Sequence, residues 1–183
     1  MHRTWTILSS LVVVVSAVAA LGCSSSTAAA AGDGGGGGGP VSFSNDVMPI
    51  FKTGCTLSSV CHGTMTGSKE NLYLGDNLMN TPAIIAQVYT GLVGTGLVGV
   101  PSLEDPAMSL IAKGDTSKSY LSHKIMNDQN NLASDCAKAT LCQEASCTPT
   151  TPCGSFMPYL GSPLDPNRVI TINDWITQGA MNN

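Results

Sequence analysis

The 183-residue sequence predicts a mostly α-helical, exported domain with long loops and a disulfide-rich insertion. Three observations carry this expectation. Several segments repeat apolar residues at helical spacing, and no run of alternating apolar and polar residues is long enough to read as a strand. An apolar leader stands at the start. An even set of six cysteines follows once Cys23 is set aside, which suits an oxidising compartment.

The leader is Trp5 to Gly22, "WTILSSLVVVVSAVAALG", preceded by His2 and Arg3 and closed by small residues. That layout is a secretory signal peptide over residues 1–22. A retained membrane anchor is the rival reading, since the run approaches the length that spans a bilayer. "ALGC", Ala20 to Cys23, resembles the lipobox of bacterial lipoproteins, in which the cysteine is acylated and becomes the first mature residue. Ala20 stands where that family usually has leucine, and cleavage after Ala19 is the alternative. The resemblance implies a lipid anchor at Cys23 that holds the protein to the cell envelope, at a periplasmic or outer-membrane surface, without a spanning helix. "SSSTAAAAGDGGGGGGP" then completes a tether over residues 23–40, too small in side chain to bury a core.

Charge narrows the partners. The formal net charge is −4, and removing Arg3 with the leader lowers it to −5. Only 11% of residues are charged and no basic patch exists, so nucleic acid is excluded as a natural partner. Aromatic residues make up 5%, so the single core of residues 41–183 calls for help from disulfides or a cofactor.

The elements follow in order. "SFSNDVMPIFKTGC" sets Phe43, Val47, Ile50 and Phe51 at helical spacing, with Ser42 or Ser44 as N-cap and a bend expected at Pro49. A second helix is expected around Pro82 to Leu92, with Ile84, Ile85, Val88 and Leu92 on one side. "GTGLVGVPSLEDP" reads as a glycine-rich loop. A short helix is expected within "KSYLSHKIMND". Residues 131–154 are polar and carry Cys136, Cys142, Cys147 and Cys153, which marks them as a stapled insertion. The last helix is the clearest: Asp165 caps it, Pro166 opens it, Val169, Ile172 and Ile176 form its apolar stripe beside Trp175, and Gly179 ends it.

The chemistry gathers in "GCTLSSVCHG", Gly54 to Gly63. Cys55 and Cys61 are separated by five residues, and His62 follows the second cysteine directly. Two thiols can bond the two vinyl groups of one porphyrin while the adjacent histidine meets the iron. Thr56, Ser58 and Ser59 can form a loop that takes up the extra length. Taken alone, the motif is matched equally well by a Cys55–Cys61 disulfide followed by a surface histidine.

Context adds a resemblance. "VSFSNDVMPIFKTGC…CHG" is similar to the entry helix and attachment loop of exported class I c-type cytochromes. "GLVGVPSLEDPAMSLIAKGDTSKSYLSHKI" resembles their middle, and "SFMPYLGSPLDPNRVITINDWITQGA" their closing methionine loop and helix. The resemblance covers Val41 to Ala180 and rests on the order of these segments. It implies a cytochrome c-like helical domain carrying one haem c. Cys55 and Cys61 would be its thioether anchors, His62 the proximal iron ligand and Met157 the distal one. Pro158 would fix the backbone beside Met157, and Phe51 and Trp175 would pack the terminal helices near the haem edge. The departures are the gap of five residues, where the family has two, and the four-cysteine insertion.

The function so implied is electron transfer by a membrane-tethered, exported protein that is not an enzyme. It meets other redox proteins transiently and binds no small-molecule substrate. A haem-free, disulfide-stapled surface lipoprotein acting as a binding or structural module is the alternative, supported by the widened spacing. A peroxidase is disfavoured because two axial ligands leave no open iron position. His123 is read as structural, with a bis-histidine iron as its alternative, and Met108 and Met126 are the alternatives to Met157. Cys136, Cys142, Cys147 and Cys153 are read as two disulfides rather than a zinc site, with pairing undetermined. Apart from His2, which lies in the leader, His62 and His123 are the only histidines, and no hydrolytic constellation is present.

Overall fold

In the computed structural model, residues 38–183 are described except 59, 60, 67, 97, 98, 133–135, 137–147, 150 and 160. Among the described residues there are four α-helices and no sheet: α1 Met48–Gly54, α2 Pro82–Val93, α3 Tyr120–Met126 and α4 Pro166–Thr177. Isolated bridges join Ser109 to Pro101 and to Ser119. The leader, the lipobox with Cys23 and most of the tether lie outside the described residues.

The segment expected to be helical around Pro49 is helical on both sides of it. A wide π-type turn over Phe43–Val47 precedes α1, and Pro49 falls in the first turn of α1. The Met48 amide closes the wide turn by donating to the Phe43 carbonyl, so helical backbone runs on both sides of Pro49. Ser42 is the N-cap and accepts from the Asn45 amide. Thr81 caps α2 and Asp165 caps α4, each through its side-chain oxygen. Gly179 takes φ +99 just past α4, a conformation that stops the helix at little cost.

The core is organised on Phe43. Its ring stacks on Trp175 with centroids 5.0 Å apart, and meets Tyr89 at 5.5 Å and Phe51 at 6.4 Å edge-on. Val88 and Leu92 of α2, Ile125 of α3 and Ile172 and Ile176 of α4 complete it. Phe51 and Trp175 thus pack the two ends of the domain together, with Phe43 between them. The ends are also hydrogen-bonded: the Phe43 amide donates to Asn183 Oδ1 at 2.9 Å and the Ser44 amide to the Asn183 carbonyl at 3.0 Å.

A second, smaller cluster gathers Tyr120, Cys136 and Cys153, with Met108 and Leu132 against it. A disulfide joins Cys136 to Cys153 across a Cα separation of 5.2 Å. Of the expected stapled insertion this one bridge is seen; Cys142 and Cys147 lie outside the described residues.

Candidate functional site

The cysteine loop hangs from the end of α1. The Cys55 and Thr56 amides both donate to the Phe51 carbonyl, at 2.7 and 3.1 Å, and the Thr56 hydroxyl donates back to Lys52 O at 3.2 Å. The loop closes on itself: the His62 amide donates to Cys55 O at 3.1 Å, and the Cys61 amide to Ser58 O at 3.1 Å. These two bonds bring His62 back beside Cys55, at the end of α1.

Cys55 and Cys61 are both thiols, not a disulfide. Cys55 packs against the main core. That burial, and secondarily the charge of Cys61, push its thiol up from an ordinary 9.0 to about 12. Ser58 Oγ lies 3.2 Å from Cys61 Sγ. In this setting Cys55 is a neutral thiol across the physiological range.

His62 is buried, with 8% of its surface exposed. Its Nδ1 lies 2.9 Å from the Leu72 carbonyl oxygen. A carbonyl only accepts, so Nδ1 carries the proton and the lone pair of the neutral ring resides on Nε2. The chain that runs back past His62 is tied to it a second time by its main chain, where the Leu74 amide donates to His62 O at 2.9 Å. A histidine oriented by a carbonyl in this way is the usual arrangement of a metal-ligating imidazole.

Met157 lies in the loop before α4 and is half-buried. Its amide donates to the Lys124 carbonyl in α3 at 2.9 Å. The loop also meets the cysteine turn: a Cβ built on Gly54 would stand 3.9 Å from Pro158 Cγ and 3.0 Å from Leu164 Cδ2. A methyl group at Gly54 would crowd only the end of the Leu164 side chain, while Pro158 lies at ordinary contact distance from the residue before Cys55. The structure thereby places Cys55, Cys61 and His62 on one turn, with the Met157 loop reaching the start of that turn.

The alternatives fare differently. His123 lies in α3, with Nδ1 2.8 Å from Asp128 Oδ1 and Nε2 3.1 Å from Ser117 O. Met126 is exposed, and Met108 belongs to the smaller cluster. Among the described residues no group of three or more His, Cys, Asp or Glu side chains is placed to hold a metal ion. No helix among them is long and apolar enough to cross a membrane.

A buried polar network beside the Met157 loop has no counterpart in the sequence reading. Lys124 Nζ lies 2.8 Å from Glu104 Oε2 and 3.1 Å from the Cys153 carbonyl. The Tyr120 hydroxyl lies 2.6 Å from the same Glu104 oxygen. The signal available was weak: a glutamate in a glycine-rich loop and a lysine in a short helix read as solvated charges.

Comparison of the chain with protein-family models, with curated proteins and with solved structures gives no match.

Proposed function

We propose that this is an exported electron-transfer protein with a cytochrome c-like domain carrying one c-type haem, tethered to the cell envelope through Cys23. The observation that carries the reading is the His62–Leu72 hydrogen bond of 2.9 Å, set beside two unpaired thiols on one closed turn. A histidine with its Nδ1 proton held by a carbonyl presents Nε2 as the donor atom, which is what an iron ligand requires. The donor set suits the group: two thiols able to add to vinyl carbons, one imidazole nitrogen and one thioether sulfur.

Cys55 and Cys61 would hold the haem through thioether bonds, each thiol hydrogen passing to a vinyl carbon. His62 would ligate the iron through Nε2, and Met157 would supply the second axial donor. Haem bound there would supply one-electron Fe(III)/Fe(II) chemistry. The chain's own work is to hold the imidazole in one tautomer, keep the thioether loop in place, and pack Phe43, Phe51 and Trp175 so that water stays out of the domain. No substrate is bound; the partners are other redox proteins met through small, transient contacts.

The haem-free alternative, a stapled surface module, draws on the Cys136–Cys153 disulfide and the widened cysteine spacing. The thiol state of Cys55 and Cys61 weighs against it. A His62→Ala variant separates the two. Loss of the haem spectrum from a chain that is still exported and folded is expected on the electron-transfer reading, with some loss of stability because His62 is buried and bonded to Leu72. A wild-type protein without absorbance in the visible range overturns it.

A further inference from the structure

We infer that Lys124 is a positioning residue for Met157, locked in place by Glu104 and Tyr120. The inference rests on the haem reading for what Met157 does, while the clamp is a property of the chain alone. Lys124 grips the segment from Cys153 to Met157 at both ends. Its carbonyl accepts from the Met157 amide at 2.9 Å, and its ammonium donates to the Cys153 carbonyl at 3.1 Å. The same ammonium is fixed by Glu104 Oε2 at 2.8 Å. The Tyr120 hydroxyl, 2.6 Å from that oxygen, also lies 3.0 Å from the Cys153 carbonyl. Between the two grips, Gln129 Nε2 donates to the Gly154 carbonyl at 3.2 Å, and the Cys136–Cys153 disulfide ties down the near end.

Stability alone does not account for this arrangement. Lys124 and Glu104 are 5% and 4% exposed, and a buried ion pair is often no better than an apolar pair of the same volume. Glu104 Oε1 has no hydrogen-bond partner, so part of the desolvation cost stays uncompensated. An apolar pair would fill the space but could not bond two carbonyls of a loop in fixed directions. Directional bonds fix the register of the segment, and the residue at its end is the proposed thioether ligand. The groups packed on Lys124 thus give the Met157 loop a single conformation before any iron is met.

The test uses the exported full chain and a Glu104→Leu, Lys124→Met double variant, which removes both charges at similar volume. Amide hydrogen exchange is followed residue by residue, together with the near-infrared thioether-to-ferric-iron band of any haem-bearing protein. Exchange at Gly154 to Met157 should rise at least about tenfold while α2 and α4 amides stay unchanged, since only local opening is eased. In haem-bearing protein the near-infrared band should weaken in the same variant. Unchanged exchange at Met157, an equal rise at all amides, or an undiminished band overturns the proposal. If the double variant does not fold, Tyr120→Phe removes only the hydroxyl and should give a smaller rise confined to the same segment; no rise there overturns it. If the wild-type chain carries no haem but exchange at Met157 still depends on Lys124, the clamp stands and the haem reading falls.

Discussion

The Nδ1 atom of His62 donates to the carbonyl oxygen of Leu72 across 2.9 Å. This bond selects the tautomer of a buried imidazole that stands directly after Cys61. The first expectation follows from it. In the haem-free chain, nitrogen NMR of His62 should show a protonated Nδ1 and an unprotonated Nε2. The opposite tautomer would remove the basis for ligation through Nε2.

The second concerns Cys55. Burial and the neighbouring Cys61 raise its thiol from 9.0 to about 12. The unfolded chain therefore loses this proton at lower pH than the folded one. The folded state binds more protons between the two values, so stability should fall as pH rises from about 9 to about 12 and be insensitive to this group below pH 9. Urea unfolding of the haem-free chain across that range checks the sign. At pH 8 the thiolate fraction of Cys55 should be about 10⁻⁴, so alkylation followed by peptide mass analysis should find Cys55 nearly unlabelled.

A third expectation falls on Gly63, which closes the motif. A Cβ there would stand 2.8 Å from the Thr56 carbonyl oxygen and 3.2 Å from that of Ser58. Both are backbone atoms of the cysteine turn, so neither can swing aside. Gly63→Ala should destabilise the domain by about 1–3 kcal/mol, and should loosen the His62–Leu72 bond, because the turn must open to admit a methyl group. Chemical denaturation gives the first quantity and the His62 nitrogen shifts the second.

Phe43 carries the fourth. It is fully buried between Trp175, Tyr89 and Phe51. Phe43→Ala should cost about 3–5 kcal/mol, read from the shift in urea midpoint at constant slope. Phe43→Leu should cost less than Phe43→Ala, since the void left is smaller.

The helices were legible where local signals were strong. Pro82 and the Asp165–Pro166 pair mark helix starts, and both helices begin there, though the Thr81 cap on α2 was not read. The apolar stripe of Ile172 and Ile176 does turn inward. The π turn over Phe43–Val47 ahead of Pro49 had no signal in the sequence. The Glu104–Lys124 pair was not legible, because its partners lie on separate segments with no shared period, and burial of a charge leaves no mark on sequence. The bond from His62 to Leu72 was likewise hidden, since its acceptor is a backbone atom that any residue would supply. The pairing of Cys136 with Cys153 could not be chosen among the possible connectivities without the fold.

The most direct measurement is an optical spectrum and an intact mass of the protein exported by a host with a cytochrome c maturation system. The expected result is a sharp reduced α-band and a mass increased by one haem that survives denaturation, lost in Cys55→Ser, Cys61→Ser double-variant protein. A colourless protein whose mass shows Cys55 and Cys61 joined as a disulfide would contradict the account.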